Sequence, residues 1–310
     1  MSGRRALVRR LRKPVRVVVY GVHAVEWYMA LGPTGPVWAT IPEVICPVYA
    51  ADAAELAEIM NDGEGEDSIV LPMLEDHIRA CSGQYRGLLP EVASVNVLAD
   101  KAQFARYVAR QGLERLVPAS YGVDNVVFPC VLKRTDGCGG WGVAVAWSAR
   151  ELAELLEDER WQGQPVVLQE YVPAGPDFTT HCVCRDGYIL WHTSYAYELE
   201  RGEVVQTPQN IRARRLSTVS DRDMRTMEAL LRPLRYDGPV NIDYRRTSSG
   251  DMRVLEINPR WGGSLMRPEN LDHLRSSLIT IIANARQPAT VGVPEPTRRS
   301  ADAWSNIPAD

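Results

Sequence analysis

The stretch that most restricts the fold is NIDYRRTSSGDMRVLEINPR, residues 241–260, because polar and apolar residues alternate on both sides of a Ser-Gly dipeptide. Ser249-Gly250 is a weaker two-residue turn than Asn-Gly, but it predicts an antiparallel β-hairpin. In that register Asp243 lies opposite Glu256. The chain is therefore expected to contain at least one antiparallel sheet, with acidic side chains at its surface.

Strand alternation divides the side chains of this hairpin between two faces. One predicted face carries the polar residues Asn241, Asp243, Glu256 and Asn258. The other face, which we expect in the core, carries Ile242, Tyr244, Leu255 and Ile257. Facing carboxylates repel unless a cation or proton lies between them, and oxygen ligands suit Mg²⁺ or Mn²⁺ better than zinc. The polar face thus predicts a metal–nucleotide site; the alternative is an exposed sheet face paired with Arg245.

A glycine-rich segment, KRTDGCGGWG at 133–142, contains a G-x-G-x-x-G match at Gly137, Gly139 and Gly142. A dinucleotide-binding turn requires a helix after the glycines, whereas VAVAWS follows here and favours a strand. A Walker A loop requires lysine after the glycines, whereas Lys133 precedes them. We interpret the segment as a loop between two strands, either a plain turn or a flexible loop whose N–H groups close over phosphate.

The order of predicted elements suggests two kinds of architecture. Strands alternate with helices up to about residue 95, with VRVVVY, VWATIPEV and DSIVLP as strands, which predicts a small parallel-sheet domain. Antiparallel strands mixed with helices follow, so the fold class is α/β followed by α+β. The predicted divisions are a mobile basic arm at 1–14, an N-terminal α/β domain at 15–95, a lid subdomain at 96–170, a C-terminal subdomain at 171–290 and a mobile tail at 291–310.

Composition argues against several classes of function. The net charge of −4 gives no reason to expect nucleic-acid binding, and no apolar run approaches the roughly 18 residues of a membrane span. Six scattered cysteines without a C-x-x-C pair indicate reduced thiols in a cytoplasmic protein. Of 35 basic residues only Lys13, Lys101 and Lys133 are lysine, so these positions attract interest.

Four motifs in order resemble those of the ATP-grasp superfamily, from about residue 96 to 265. They are DK at 100–101, VLKRTDGCGGWGV, VVLQEYVPAGPDFT, and NIDYRR followed by VLEINPR. The last is the most specific, because it sets an acid, a glutamate 13 residues on and an asparagine two residues later on a hairpin. Lys101 and Lys133 fall where this family places its phosphate-contacting lysines. The resemblance implies an ATP-grasp fold with a short N-terminal parallel-sheet domain.

The resemblance implies a set of ATP contacts. Lys133 would close over the phosphates, Lys101 would join from the preceding helix, and the loop would contribute Gly137, Gly139, Gly140 and Gly142. For the nucleoside, the implied contacts are Glu170 near the adenine amino group, the main chain of Tyr171 and Val172 along the ring, and Asp177 at the ribose hydroxyls.

The resemblance also implies metal-binding and catalytic residues. Mg²⁺ (or Mn²⁺), as one or two ions, would be held by Asp243, Glu256 and Asn258. Facing the γ-phosphate and the activated carboxyl would be Arg260 and the backbone at Gly262 and Gly263. A further basic residue is expected within NIRARRLS, where Arg212, Arg214 and Arg215 remain open and Arg214 is preferred.

One histidine is also a candidate for the site. His23 lies in the first βα turn, where N-terminal domains of this superfamily often meet the substrate. We expect it either to contact substrate or to be a capping or surface residue. His181, in contrast, is interpreted as structural.

The implied function is that of a carboxylate–amine ligase. ATP would convert a carboxylate to an acyl phosphate, which an amine would attack to form an amide or peptide bond. The expected partners are a small carboxylic acid and an amine, with amino acids or a peptide as candidates and specialised metabolism as the setting; a monomer and a homodimer both remain open. The alternatives are a phosphotransferase, a nucleotide-binding regulatory protein, and an NAD-dependent oxidoreductase, which the strand after Gly142 disfavours.

Overall fold

The computed structural model describes residues 15–44, 47–62, 68–135, 141–173 and 175–287. The predicted arm at 1–14, the tail at 291–310 and the loop residues Gly137, Gly139 and Gly140 lie outside the described residues. The described helices are α1 (Val25–Leu31), α2 (Ala53–Met60), α3 (Glu75–Cys81), α4 (Val92–Ala99), α5 (Lys101–Gln111), α6 (Ala149–Glu157), α7 (Asp221–Leu231) and α8 (Leu271–Asn284).

The strands fall into three sheets. The described strands are β1 (Val17–Tyr20), β2 (Val48–Ala50), β3 (Ile69–Pro72), β4 (Ser120–Tyr121), β5 (Cys130–Arg134), β6 (Val143–Ala146), β7 (Val166–Glu170), β8 (Asp177–Arg185), β9 (Tyr188–Leu199), β10 (Ile211–Ser217), β11 (Gly238–Arg246) and β12 (Met252–Asn258). Their orders are β2-β1-β3, β4-β7-β5-β6 and β10-β9-β8-β11-β12. No helix in the described part of the chain is long and apolar enough to cross a membrane.

The N-terminal sheet is parallel, as predicted, with the fully buried strand β1 at its centre. The prediction of a strand at VWATIPEV is wrong. Trp38–Thr40 forms a 3₁₀ turn instead, because the Trp38 indole N–H donates to the carbonyls of Leu31 (3.1 Å) and Gly32 (3.0 Å) and thereby holds the chain against the end of α1. The neighbouring strand β2 begins ten residues further on, at Val48.

The glycine-rich segment joins two antiparallel strands, β5 and β6, of the four-stranded sheet. At its base the Arg134 N–H donates to the Gly142 carbonyl at 2.8 Å, and Gly142 has a φ of +74°. A strand and not a helix follows the glycines, so the interpretation against a dinucleotide turn is confirmed. The helix before this sheet, α5, begins at an Asp100 carboxylate that accepts the Gln103 N–H at 2.7 Å.

The hairpin β11–β12 has the predicted register where the acidic residues lie. Asn241 pairs with Asn258 and Asp243 with Glu256. Closer to the turn the register shifts by one residue, because Tyr244 pairs with Val254 and Leu255 forms a bulge. The prediction that Leu255 packs in the core is therefore wrong: Val254 is fully buried, while Leu255 lines a cavity beside Glu256.

Candidate active site

A cavity of about 640 Å³ lies between the four-stranded and five-stranded sheets. The predicted site residues that line it are Lys133, Glu170, Tyr171, Val172, Asp177, Arg214, Asp243, Glu256, Asn258, Arg260, Gly262 and Gly263. Residues from widely separated parts of the sequence thus meet around one space. Three other described candidates, Lys101, His23 and Gly142, lie outside its lining.

The floor of the cavity is formed by the facing carboxylates of Asp243 and Glu256. Thr179 donates a hydrogen bond to Asp243, and the amide nitrogens of Asn241 and Asn258 lie 3.1 Å and 3.4 Å from its oxygens. Burial, and then the charge of Glu256, raises the pKa of Asp243 to about 7. Asp243 therefore gives up its proton only near neutrality when no cation lies beside it.

This cluster fits a hard divalent cation. Within the described ranges there is no group of three or more His, Cys, Asp and Glu side chains that could hold a metal. Here, however, the donors are two carboxylates and amide oxygens, which are the ligands that Mg²⁺ and Mn²⁺ prefer. Among the described residues, the buried Asn241 amide oxygen has no hydrogen-bond donor.

Two of the chain's three lysines approach the same acid. The Lys101 ammonium, at the start of α5, lies 3.4 Å from a Glu256 carboxylate oxygen. Lys133, on β5, is buried and donates to the Leu255 carbonyl at 3.4 Å. Burial lowers the pKa of Lys133 to about 8, and the charge of Glu256 opposes that shift. Positive charge from α5 and β5 therefore converges on the metal-type cluster.

The segment after β7, for which an adenine contact is predicted, forms one wall of the cavity. The Glu170 carboxylate accepts the Ala119 N–H at 3.1 Å, which fixes the start of this segment. The Val172 carbonyl accepts a hydrogen bond from the Arg245 guanidinium at 3.1 Å. Tyr171 lies against the Trp147 ring, with 5.4 Å between the ring centroids.

Asp177 and Arg245 form a buried ion pair in this wall. The guanidinium nitrogens contact both Asp177 oxygens, with Nη2 at 3.2 Å from one of them, and Nη2 also donates to the Val204 carbonyl at 2.7 Å. The side chains of both partners are 10% exposed or less. Arg245 therefore neutralises Asp177, and the alternative in which it solubilises the acidic face of the hairpin does not describe this structure.

The three arginines of NIRARRLS separate on β10, where the pairing with β9 shifts register at Arg212. Arg212 and Arg215 both pair with Glu198, at 2.8 Å and 3.2 Å, on the outer side. Arg214 instead lines the cavity, where its guanidinium lies 5.7 Å from the Tyr197 ring centroid. Its buried Nε has no hydrogen-bond partner within the described part of the chain. The structure thus places only Arg214, of these three, where a phosphate could reach it.

The loop after β12 lies at the end of the cavity next to α1 and α3. Arg260 Nε lies 2.9 Å from a carboxylate oxygen of Glu75. The two side chains form an ion pair, but the Nε–H bond does not point at that oxygen, so the contact is not a hydrogen bond. His23 stacks on Trp27 with 4.2 Å between the ring centroids. Burial, and then the charge of Arg260, lowers the pKa of His23.

Sequence reasoning missed several residues at this end of the cavity. Ser264 lines the cavity directly after the two glycines, so its position in the motif could have suggested it. His181 contacts the same loop from β8, and Glu75 reaches Arg260 from α3. No local pattern could have predicted these two contacts, since they join residues far apart in the sequence.

Comparisons with known proteins agree with this geometry. No family model matches the chain. Among curated proteins it is 24% identical over 178 residues to the large chain of the arginine-specific carbamoyl phosphate synthase of Bacillus subtilis, covering 54% of this chain and 17% of that one. It is 29% identical over 153 residues to an uncharacterized protein of Sinorhizobium fredii, covering 45% of this chain and 30% of that one. The chain thus spans less than a third of either relative.

Solved structures are similar over most of the chain. A D-alanine–D-alanine ligase from Bacillus anthracis, complexed with ATP, has a TM-score of 0.60 at 16% identity, with 88% of this chain and 97% of that one covered. An L-amino acid ligase from Bacillus licheniformis has a TM-score of 0.61 at 12% identity, with 89% and 76% covered. A biotin carboxylase from Campylobacter jejuni has a TM-score of 0.60 at 12% identity, with 88% and 72% covered. The predicted mixed α/β architecture is confirmed, and the chain has the ATP-grasp fold.

Proposed function

We propose that this protein is an ATP-dependent ligase that joins a small carboxylic acid to an amine. The observation that carries the proposal is the pairing of Asp243 with Glu256 on the cavity floor, with Lys101 and Lys133 converging on Glu256. Two structures with the same fold are named as ligases of amino acids, which supports amino acids or a peptide as substrates.

Asp243, Glu256 and an amide oxygen of Asn258 would hold Mg²⁺ or Mn²⁺. When bound, such an ion supplies positive charge that offsets the repulsion between the carboxylates and the phosphates. The two facing carboxylates and the amide side chains of Asn241 and Asn258 beside them offer the oxygen ligands that these ions prefer. The residues present therefore fit the ion that an ATP-grasp fold implies.

The nucleoside would lie along the segment after β7. Because Arg245 already occupies the Val172 carbonyl, an adenine contact at Val172 would use its N–H group. Asp177 is engaged by Arg245, so a ribose hydroxyl would donate to a carboxylate whose position is already fixed. Glu170 would meet the adenine amino group, and Lys133 would contact the phosphates, with the glycine loop closing over them.

The first chemical step requires two anions to meet. A carboxylate oxygen of the acid attacks the γ-phosphorus, the bond from that phosphorus to the bridging oxygen of ADP breaks, and the acid becomes an acyl phosphate. Lys133, Arg214 and Arg260 would offset the negative charge spread over the transferring phosphoryl group. The geometry supports these roles because Lys133, Arg214 and Arg260 all line the same cavity.

In the second step the amine nitrogen attacks the acyl carbon, the carbon–oxygen bond to phosphate breaks, and the proton that the nitrogen loses leaves on the phosphate as the amide forms. Inorganic phosphate leaves. His23 is proposed as a substrate contact and not as the base, because its Nδ1 accepts the Ala24 N–H at 2.6 Å. The neutral ring then carries its proton on Nε2, which acts as a donor.

An ADP-release assay with MgATP and pairs of carboxylic and amino acids tests the proposal. We expect release to require both an acid and an amine, whereas release with an acid alone indicates a phosphotransferase. Glu256→Gln should lower the rate at least about 100-fold. Glu198→Gln is the matched control, because Glu198 pairs with Arg212 and Arg215 on the outer side. Full ADP release by Glu256→Gln would show that the metal assignment is wrong.

A further inference from the structure

His181 is a fully buried histidine on β8 that contacts the loop at the end of the cavity. Its Nε2 lies 2.7 Å from the Ser264 hydroxyl oxygen, and its Nδ1 accepts the Gly262 N–H at 3.3 Å. Gly262 and Ser264 both line the cavity, whereas His181 does not. The histidine therefore supports the loop from beneath without meeting a ligand itself.

These two hydrogen bonds determine which nitrogen of His181 carries the proton. A backbone N–H can only donate, so Nδ1 must be the acceptor and must lack a proton. A neutral ring then carries its proton on Nε2, and Nε2 donates to Ser264. Burial lowers the pKa of His181 to about 3, with a further contribution from His273, so the ring is neutral at physiological pH.

The consequence for Ser264 is that its oxygen already accepts a hydrogen bond, which leaves its own proton free to be donated. Burial raises the pKa of Tyr197, and a hydrogen bond from the Ser264 side chain opposes that shift. Tyr197 also lines the cavity. An anionic oxygen is a stronger acceptor than a neutral phenol, so an anion bound here would accept the Ser264 hydrogen bond in place of Tyr197.

We propose that His181 is a positioning residue that holds Ser264 as a hydrogen-bond donor to an anionic oxygen of a bound molecule. Two molecules could supply that oxygen: the carboxylate of the acid substrate, or a phosphate of ATP. The identity of the oxyanion rests on the proposed ligase function. The tautomer of His181 does not depend on the proposed function, because it follows from hydrogen bonds within the protein alone.

Gly262 explains why the contact is so close. A Cβ atom at this position would lie 2.8 Å from His181 Cε1 and 2.9 Å from the Asn241 amide oxygen. The absence of a side chain at residue 262 thus lets the loop approach β8 closely enough for both hydrogen bonds to form.

The tautomer is tested by ¹⁵N NMR of the full chain labelled at histidine side chains, without any ligand. The His181→Gln variant identifies the His181 signals among those of the five histidines. We expect a neutral ring protonated on Nε2 at pH 7, and a shift of the Nε2 resonance in Ser264→Ala. A ring protonated on Nδ1, a cationic ring, or a mixture of tautomers would overturn the proposal.

The role of Ser264 is tested by calorimetric binding of MgATP and by the KM for whichever acid the ADP-release assay identifies. Ser264→Ala should either weaken MgATP binding or raise the KM for the acid about 10- to 100-fold, the range expected for a lost hydrogen bond to a charged group. Ser264→Thr retains the hydroxyl and serves as the control. A change in MgATP affinity identifies the phosphate, and a change confined to the KM of the acid identifies the carboxylate.

Variants of His181 separate positioning from structural support. His181→Gln can still donate to Ser264 through its side-chain amide, whereas His181→Ala cannot. The weaker MgATP binding, or the higher KM for the acid, that is expected in His181→Ala should therefore be partly restored in His181→Gln. In the Ser264→Ala background, His181→Gln should have no further effect on that parameter. Unchanged MgATP affinity in Ser264→Ala, together with an unchanged KM or with no acid active at all, would refute the donor role. A wild-type protein that is inactive towards every acid but keeps the expected tautomer would count against the ligase function, and the MgATP affinity alone would then decide the donor role.

Discussion

Asp243 and Glu256 lie opposite each other on β11 and β12, and this proximity contributes to a pKa of Asp243 near 7. The larger contribution is the burial of Asp243, which also accepts hydrogen bonds from Thr179 and Asn241. Between about pH 4 and about pH 7, Asp243 is therefore more fully protonated in the folded, cation-free protein than in the unfolded chain.

The stability of the metal-free protein should fall as pH rises from about 4 to about 7, because the pKa of Asp243 is higher in the folded state than in the unfolded state. The contribution of Asp243 is fully present below about pH 4 and is lost as pH rises through about 7, at up to about 1.4 kcal/mol per pH unit. Urea unfolding of wild type and of Asp243→Asn measures the difference. Mg²⁺ should raise the Tm of wild type more at pH 8 than at pH 5. Equal pH profiles for the two proteins would contradict the prediction.

Arg214 should be the functional arginine of β10, because it alone of the three candidates lines the cavity. Arg214→Ala should lower kcat/KM for ADP release about 10- to 1000-fold. Arg212→Ala and Arg215→Ala remove exposed ion pairs with Glu198 and should change it by no more than about twofold. A loss of similar size in all three variants would show that the effect is not specific to the cavity.

Removing Asp177 should destabilise the fold, because Arg245 would remain buried without a carboxylate partner. Asp177→Ala is expected to lower the free energy of unfolding by about 3–5 kcal/mol. The paired change Asp177→Leu with Arg245→Met removes both charges and should be less destabilising than Asp177→Ala alone. Denaturant unfolding measures both, and a loss of under about 1 kcal/mol in Asp177→Ala would contradict the prediction.

The two glycines after β12 should differ in their tolerance of a side chain. At Gly262 a Cβ would press on His181 and Asn241, whereas at Gly263 the nearest atom, Trp27 Nε1, is 3.8 Å away. The φ of Gly262 is −95°, so the obstacle is steric and not backbone strain. Gly262→Ala should therefore cost about 1–3 kcal/mol of stability, and Gly263→Ala less than about 0.5 kcal/mol. Thermal unfolding of the two variants provides the comparison; equal losses would argue against close packing at 262.

Features encoded by neighbouring residues were predictable from the sequence. The alternation in NIDYRR and VLEINPR predicts the facing acids, the run VAVAWS predicts β6, and Asp100 and Gly112 mark the ends of α5. Each depends on the period of a strand or on a local cap, which a short window of sequence contains. The predicted two-residue turn at Ser249-Gly250 is wrong, because the loop is one residue longer. The predicted pairing of Asp243 with Glu256 is nevertheless correct, because the bulge at Leu255 compensates for the extra residue.

Contacts between distant segments were decided by the tertiary structure. The sequence left three arginines of NIRARRLS open, and their separation depends on β10 pairing with β9, which brings Glu198 to the outer side. The partner of Asp177 is Arg245, 68 residues away, and its choice depends on β8 lying beside β11. Alternation assigns a side chain to a face of a strand, but its partner on that face depends on which strands become neighbours, and long-range packing decides this. The sequence by itself indicated Asp243, Glu256, Lys133 and the two glycines after β12, all of which line the cavity. Only the folded chain placed His181 beneath Gly262 and Ser264, because that contact joins segments far apart in the sequence.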